Sequence, residues 1–326
     1  MLAKTKIYYT LLTTLLLTFF ACSAPPIAET PQLKDPFFGV KADATPRLLA
    51  PSLLASPAQE YNGTFSPDGK VFYYTTDVAG QSIITFTELG ADNNWSAPQV
   101  ASFSGTYTEY DPLFSPDGSK LFFSSRRPKD GSRLSRIWFV EQLGTEWSEP
   151  QAIQLTDSGQ EEYYSSITKE GTIYFNIWSN GNLYKAQKTD TSYIVEELPA
   201  PLKTTYGQGD PFISPNEDYL IFRGFGEDTF GRGDLYISFN INDQWTTPEN
   251  LGEPINSAAD DICPYVTTDE KLFIFASSRM EDKLEISPLA PIAEAHEKFQ
   301  SIDNGEMNIY YMSASFIGEM RQKHLQ

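Results

Sequence analysis

One phrase recurs five times along the chain, and it constrains the fold more than any other feature. It reads Tyr61-Asn-Gly-Thr-Phe-Ser-Pro-Asp-Gly69 and then Tyr110-Asp-Pro-Leu-Phe-Ser-Pro-Asp-Gly118. Looser copies follow as Tyr163-Tyr-Ser-Ser-Ile-Thr-Lys-Glu-Gly171, Gly209-Asp-Pro-Phe-Ile-Ser-Pro-Asn-Glu217 and Ile262-Cys-Pro-Tyr-Val-Thr-Thr-Asp-Glu270. With Ser66, Ser115, Thr168, Ser214 and Thr267 as markers, the intervals are 49, 53, 46 and 53 residues. That is the length of a four-stranded propeller blade with variable loops.

Each copy carries its own local physics. Ser-Pro-Asp-Gly is turn chemistry: Pro presets φ, Asp bonds nearby backbone, and Gly accepts positive φ. An aromatic and branched run follows each turn: Val71–Tyr74, Leu121–Ser124, Ile173–Phe175, Leu220–Phe222 and Leu272–Phe275. Each marker is therefore expected at a hairpin tip. Third strands are expected at Ser82–Thr87, Arg136–Val140, Asn182–Ala186, Asp234–Phe239 and Asn308–Ser313. Fourth strands are announced by Trp95-Ser-Ala-Pro, Trp147-Ser-Glu-Pro and Trp245-Thr-Thr-Pro, with Tyr193 standing in for the third copy.

The expected fold is all-β, a single β-propeller. Radial closure hides sheet edges that would otherwise pair with other chains. The last copy lacks a fourth strand, and Pro46-Arg-Leu-Leu-Ala-Pro51 is strand-like without a hairpin of its own. Pairing the two closes the ring and favours five four-stranded blades over six.

The phrases Phe-Ser-Pro-Asp-Gly, Leu-Phe-Phe-Ser-Ser-Arg and Asp-Leu-Tyr-Ile-Ser resemble the TolB-type (WD40-like) propeller repeat. The segment Trp245–Asn256 and the ending Asn308–Ile317 resemble bacterial envelope proteins of the same group. The resemblance covers residues 46 to 321. It implies fold rather than activity, since propellers host many functions.

The amino terminus reads as an address. Lys4 and Lys6 precede an apolar run from Ile7 to Phe20, too short to span a bilayer but suited to a signal-peptide core. Phe19-Phe20-Ala21-Cys22 resembles a lipobox, with Phe19 where the common pattern has Leu. Residues 1–22 are accordingly expected to be a lipoprotein signal peptide and Cys22 the lipidated residue. Ordinary cleavage near Ala24, giving a free secreted product, is the alternative. Ser23 in place of Asp favours the outer membrane. Residues 23–45, rich in Pro and Ala, suit a flexible tether, and residues 46–326 form the propeller.

The chain has 43 acidic and 24 basic residues. Loss of Lys4 and Lys6 leaves 22 basic residues and an excess of 21 negative charges. Such a surface repels phosphate backbones and argues against nucleic acid. With Cys22 acylated, Cys263 has no disulfide partner and reads as an inert buried thiol.

Propeller geometry gathers function at one mouth of the central channel. Six residues before the markers stand Glu60, Glu109, Glu162, Gln208 and Asp261, and four before them stand Asn62, Asp111, Tyr164, Asp210 and Cys263. Convergence would ring the mouth with carboxylates, with Asp111 and Asp210 just inside. Like charges so placed call for a compensating cation or basic group. This leads to a ligand or cation site, with Ca²⁺ the candidate metal, or else to carboxylates that each cap amides of their own blade. Loops after the second strands add Arg126, Arg127, Arg133, Arg223, Arg232 and Arg279, either as inter-blade ion pairs or as a polar groove with Trp178, Phe225 and Phe230. The run Gly224–Gly233 is a candidate rim loop.

The only histidines, His296 and His324, follow the last hairpin, and no Gly-x-Ser-x-Gly elbow is present. Two functions follow. The first is a non-enzymatic scaffold of the cell envelope that meets a protein or polysaccharide. The second is a carbohydrate-active hydrolase using Asp111, Glu162 and Asp210. The insertion at 281–304 contains Ile292–Phe299, expected as a short helix that covers the mouth, meets a partner, or stays in solvent.

Overall fold

The computed structural model describes residues 33–129, 131–156, 159–280 and 286–325. The signal segment, Cys22 and residues 281–285 of the insertion lie outside these described residues. The rest is a five-bladed β-propeller of four-stranded antiparallel blades in a ring.

The five markers sit at the five hairpin tips. Blade 1 runs through Gln59–Phe65, Val71–Val78, Gln81–Glu88 and Gln99–Val100, and blade 2 through Glu109–Phe114, Lys120–Ser125, Arg136–Leu143 and Gln151–Ala152. Blade 3 comprises Glu162–Ile167, Ile173–Ile177, Asn182–Lys188 and Tyr193–Glu197. Blade 4 comprises Gln208–Ile213, Tyr219–Gly224, Asp234–Ile241 and Glu249–Asn250. Blade 5 takes Asp261–Val266, Leu272–Ser277 and Asn308–Ser313, and its fourth strand is Arg47–Leu48. Arg47 pairs with Tyr311 and Leu48 with Tyr310, so the amino-terminal strand closes the ring as expected.

The tryptophans mark a smaller feature than a fourth strand. Trp147 and Trp245 turn back on their own third strands, and the outermost strands begin a few residues later.

The hydrophobic core lies between blades. Side chains alternate across a strand, so Leu121 and Phe123 face blade 1 residues Tyr73 and Ile84, while Phe122 joins Ile167, Ile173 and Phe175 of blade 3. Tyr174 then turns to Ile213, Leu220 and Phe222 of blade 4. Second strands are buried on both faces, which explains their unbroken apolar runs. Each fully buried aromatic contributes about 1.5–3 kcal/mol.

Two segments depart from the sequence reading. Residues 33–45 are expected as part of a flexible tether, yet from Leu33 the chain docks on blade 1 and, by Asp43, on blade 5, where Ser313 N donates to Asp43 O at 2.7 Å. Phe38 is buried against Phe65, Phe72 and Trp95, and Trp95 Nε1 donates to Asp35 O at 2.9 Å. Two aromatics in a Pro/Ala-rich stretch supply enough apolar area to fix it. At the other end, Ser315–Lys323 forms a helix that lies across blades 5 and 4. Phe316 packs on Phe273, Arg321 pairs with Asp218 at 3.1 Å, and His324 meets Glu249 at 2.5 Å.

Candidate functional site at the channel mouth

The innermost strand of every blade loses register at the same place: between Tyr61 and Thr64, Tyr110 and Leu113, Tyr163 and Ser166, Gly209 and Phe212, and Ile262 and Tyr265. Inside each irregularity one residue adopts left-handed backbone. These are Asn62, Asp111, Tyr164, Asp210 and Cys263, with φ of 49°, 59°, 47°, 51° and 55°. A β-bulge re-aims a side chain, and here five bulges turn five side chains toward one another. Asn62 Nδ2 donates to Asp111 Oδ1 at 3.1 Å, Cys263 Sγ lies 4.0 Å from Asp210 Oδ2, and Tyr164 OH donates to Pro264 O of blade 5 at 2.8 Å. Tyr164 therefore reaches from blade 3 to a blade that is not its neighbour. It fills the channel at the level of the two aspartates.

Electrostatics in this layer follow from burial. Desolvation, joined by the charge of Asp210, lifts Asp111 to about 7, while bonds from Asn62 and Ser124 oppose the rise. Burial also raises Asp210, against the pull of the Arg223 guanidinium. The Cys263 thiol is pushed well up, first by desolvation and then by both aspartates, and stays protonated and inert.

The residues six before the markers are caps. Glu60, Glu109, Glu162 and Asp261 are buried. Each accepts bonds from the turn just upstream. Ser56 N and Oγ donate to Glu60; Ser104 Oγ and Gly105 N donate to Glu109. Thr156 N and Oγ1 donate to Glu162 at 3.0 and 2.6 Å, and Ser257 N and Oγ donate to Asp261 at 2.6 and 2.9 Å. Gln208, the fifth in the series, donates instead, to Leu202 O. Burial raises Glu60 to about 7 and raises Glu162, although both keep these bonds.

Arginines complete the same arrangement. Arg127 pairs with Glu109 and Arg279 with Asp261, both at 2.7–2.8 Å. Arg223 binds Asp260 at 2.7 Å, and Arg126 bridges Glu161 at 3.0 Å and Tyr163 OH at 2.8 Å. Among the described residues, no group of three or more His, Cys, Asp or Glu side chains is placed to share a metal ion. Glu109 and Asp261 are thus paired with arginines, while Glu60 and Glu162 hold amides and hydroxyls of the turns before them.

What remains open is the rim over blades 3 and 4. Trp178, Tyr206 and Phe230 are 67%, 68% and 51% exposed. Backbone bonds join their loops, from Gln208 N to Gly181 O, Tyr206 N to Phe225 O and Phe225 N to Gly207 O. Trp178 lies tilted against Tyr163 at 5.9 Å, Tyr163 is nearly parallel to Tyr110 at 5.7 Å, and Arg223 covers Phe225. Position 209 is glycine where three blades carry tyrosine, and a Cβ there would meet only Asn176 Nδ2, at 3.9 Å. Tyr206 and the Tyr110–Tyr163 pair were not among the candidate residues read from sequence; recurrence of tyrosine five residues before the marker was the available signal. The Ile292–Phe299 helix forms as expected on this same face, with no buried residue.

At the channel's other end Phe65, Leu113, Phe114, Ile167, Phe212, Ile213, Tyr265 and Val266 line a small pocket of about 30 Å³. No family model and no curated protein matches the chain. Among solved structures, an arabinanase, Arb43A of Bacillus subtilis, is 11% identical and aligns over 79% of this chain and 95% of its own, with a TM-score of 0.51. A putative TolB from Agrobacterium tumefaciens is 17% identical over 72% of this chain and 74% of its own, with a TM-score of 0.46. TolB from Acinetobacter baumannii is 20% identical over 61% of this chain and 44% of its own, at 0.42. The first likeness concerns fold alone, and the two TolB likenesses are too loose to carry an argument.

Proposed function

We propose that the chain is a non-enzymatic binding protein of the bacterial cell envelope, exported and anchored by lipid on Cys22, that offers the mouth face of its propeller to a protein or polymer partner. The observation that carries this reading is Tyr164. Its buried ring crosses from blade 3 to Pro264 O of blade 5 beside Asp111 and Asp210, which narrows any route for substrate between the two carboxylates. Glu162, third of the carboxylates a hydrolase would draw on, is fully buried and holds Thr156. Recognition is left to the rim, where Trp178, Tyr206 and Phe230 supply amphipathic area and Arg126 and Arg223 supply fixed charge.

Hydrolysis of a carbohydrate is the competing reading. Two carboxylates with raised proton affinity, Asp111 and Asp210, are the kind of pair such chemistry uses. The test is a panel of cell-wall and environmental polysaccharides and isolated envelope proteins, scored for both binding and cleavage. Binding weakened about tenfold or more by Trp178→Ala or Tyr206→Ala, without cleavage, supports the proposal. Glycan cleavage abolished by Asp111→Asn in a variant that is folded and no less stable overturns it.

A further inference from the structure

On the opposite face, the hairpin tips of blades 1 and 2 border a groove of about 960 Å³. Its floor is aromatic. Tyr73 lies at its centre, with Phe86 at 5.3 Å, Phe114 at 5.6 Å and Trp147 at 6.3 Å between ring centroids. Trp147 Nε1 donates to Tyr73 OH at 2.8 Å, which fixes the indole against the floor. Phe86, Phe114 and Trp147 are each only partly buried, so ring surface remains for a ligand.

The rim is one-signed. Asp68, Glu88, Asp117, Glu146 and Glu149 line the groove, and among the described residues no lysine or arginine does. Lys70 pairs with Asp68 at 3.4 Å from outside the lining, and Asp117 accepts bonds from Ser115 and Ser119. Glu88, Glu146 and Glu149 are exposed. Aromatic faces attract cations through their quadrupole, and an acidic rim over such a floor strengthens that attraction and excludes anions. The chain as a whole carries 24 basic residues against 43 acidic ones, so a lining with five acids and no base is more polarised than the surface at large.

We infer that this groove docks a lysine- or arginine-bearing segment of a partner protein. The volume suits several residues of extended chain rather than one small ion. The site is separate from the channel mouth, so it stands or falls independently of the function proposed above.

The experiment uses the full chain and two synthetic peptides, one alternating lysine with glycine and one alternating glutamate with glycine, followed by calorimetry at low and high salt. The lysine peptide is expected to bind, to weaken as salt rises, and to bind roughly tenfold less well to the Glu88→Gln/Glu146→Gln/Glu149→Gln variant. Those three carboxylates are exposed, so the variant folds. Trp147→Phe, which keeps a ring but loses the indole, is expected to weaken binding further, while Trp178→Ala at the mouth leaves it unchanged. Equal affinity for the triple variant, equal binding of the glutamate peptide, or no binding of the lysine peptide at millimolar concentration overturns the inference.

Discussion

Glu270 occupies the fourth position of its turn with φ of 54°, where Gly69, Gly118 and Gly171 stand in the better copies. The turn survives because Thr267 does the work of the serine. Its Oγ1 donates to Asp269 at 2.7 Å and accepts from Leu272 N at 3.1 Å. A non-glycine residue in left-handed backbone costs roughly 1–2 kcal/mol, partly offset by lower entropy in the unfolded chain. Glu270→Gly is therefore expected to stabilise the protein by about 0.5–1 kcal/mol, read as a higher melting temperature. Glu217→Gly should gain less, because Glu217 accepts a bond from Tyr174 OH at 2.6 Å. Gly69 is different in kind. Its φ is 71° and the Phe37 ring lies over it, so a Cβ would come within 2.5 Å of that ring. Asp111 sets a pH dependence. Its proton affinity is raised to about 7 in the folded state, so between pH 4 and 7 the folded chain binds more protons than the unfolded one. Stability from this group is complete below pH 4 and is lost as pH rises through 7. Glu60 acts in the same direction. Asp111→Asn keeps the shape and removes the charge, and its amide can still meet Asn62 and Ser124. Urea denaturation at pH 8 should show it more stable by on the order of 2 kcal/mol, with a flatter profile from pH 4 to 7; a loss of stability at pH 8 would refute this.

At the scale of elements, the hairpins were legible because their causes are local. A turn phrase and the apolar run after it lie within a dozen residues of each other, and even Glu217 and Glu270 did not hide them. The closing strand was legible too, since Arg47–Leu48 and the incomplete last blade each implied the other. Elements fixed by distant partners were not. The Phe38 segment reads as Pro/Ala-rich linker until Phe65, Phe72 and Trp95 are seen beneath it. The carboxy-terminal helix is held by Phe273 of blade 5 and by Asp218 and Glu249 of blade 4, all far from it in sequence. The candidate site was readable as a set of positions, because the repeat gives every blade the same two offsets. Roles were not readable. Whether Glu162 faces a ligand or Thr156 depends on a turn whose path the repeat does not encode, and the left-handed bulge at Tyr164 has no signature in tyrosine. The docked amino-terminal segment makes a local prediction. Phe38→Ala removes its one fully buried ring, so the segment should detach without unfolding the blades. Trypsin is expected to cut after Lys34 and Lys41 much faster in the variant, while the propeller fragment and its melting temperature persist.

On the scale of the whole molecule, the two faces of the propeller differ in chemistry and in how they relate to the chain's start. The mouth carries exposed aromatics and ion pairs; the tip face carries the acidic groove. The amino-terminal segment joins the tip face, where Phe37 N donates to Gly69 O at 2.8 Å and Trp95 N to Leu33 O at 3.2 Å. Eleven residue steps separate Leu33 from Cys22, a reach of at most about 40 Å even when fully extended. If Cys22 carries a lipid, entry of the chain at the tip face is expected to bring that face nearer the bilayer than the mouth on average, and the excess of acidic residues disfavours contact with anionic headgroups. Anchoring and orientation are separately testable. Cys22→Ser should move the protein from the detergent phase to the aqueous phase with no change in melting temperature, and retention in the detergent phase would refute the anchor. For orientation, a dye on Asp117→Cys at a hairpin tip and one on Glu227→Cys at the rim, each in the lipidated protein on vesicles, would be compared for energy transfer to a bilayer acceptor. Buried Cys263 should not compete for label. Greater transfer from the tip position is expected, and equal transfer would mean that the tether lets the propeller tumble freely.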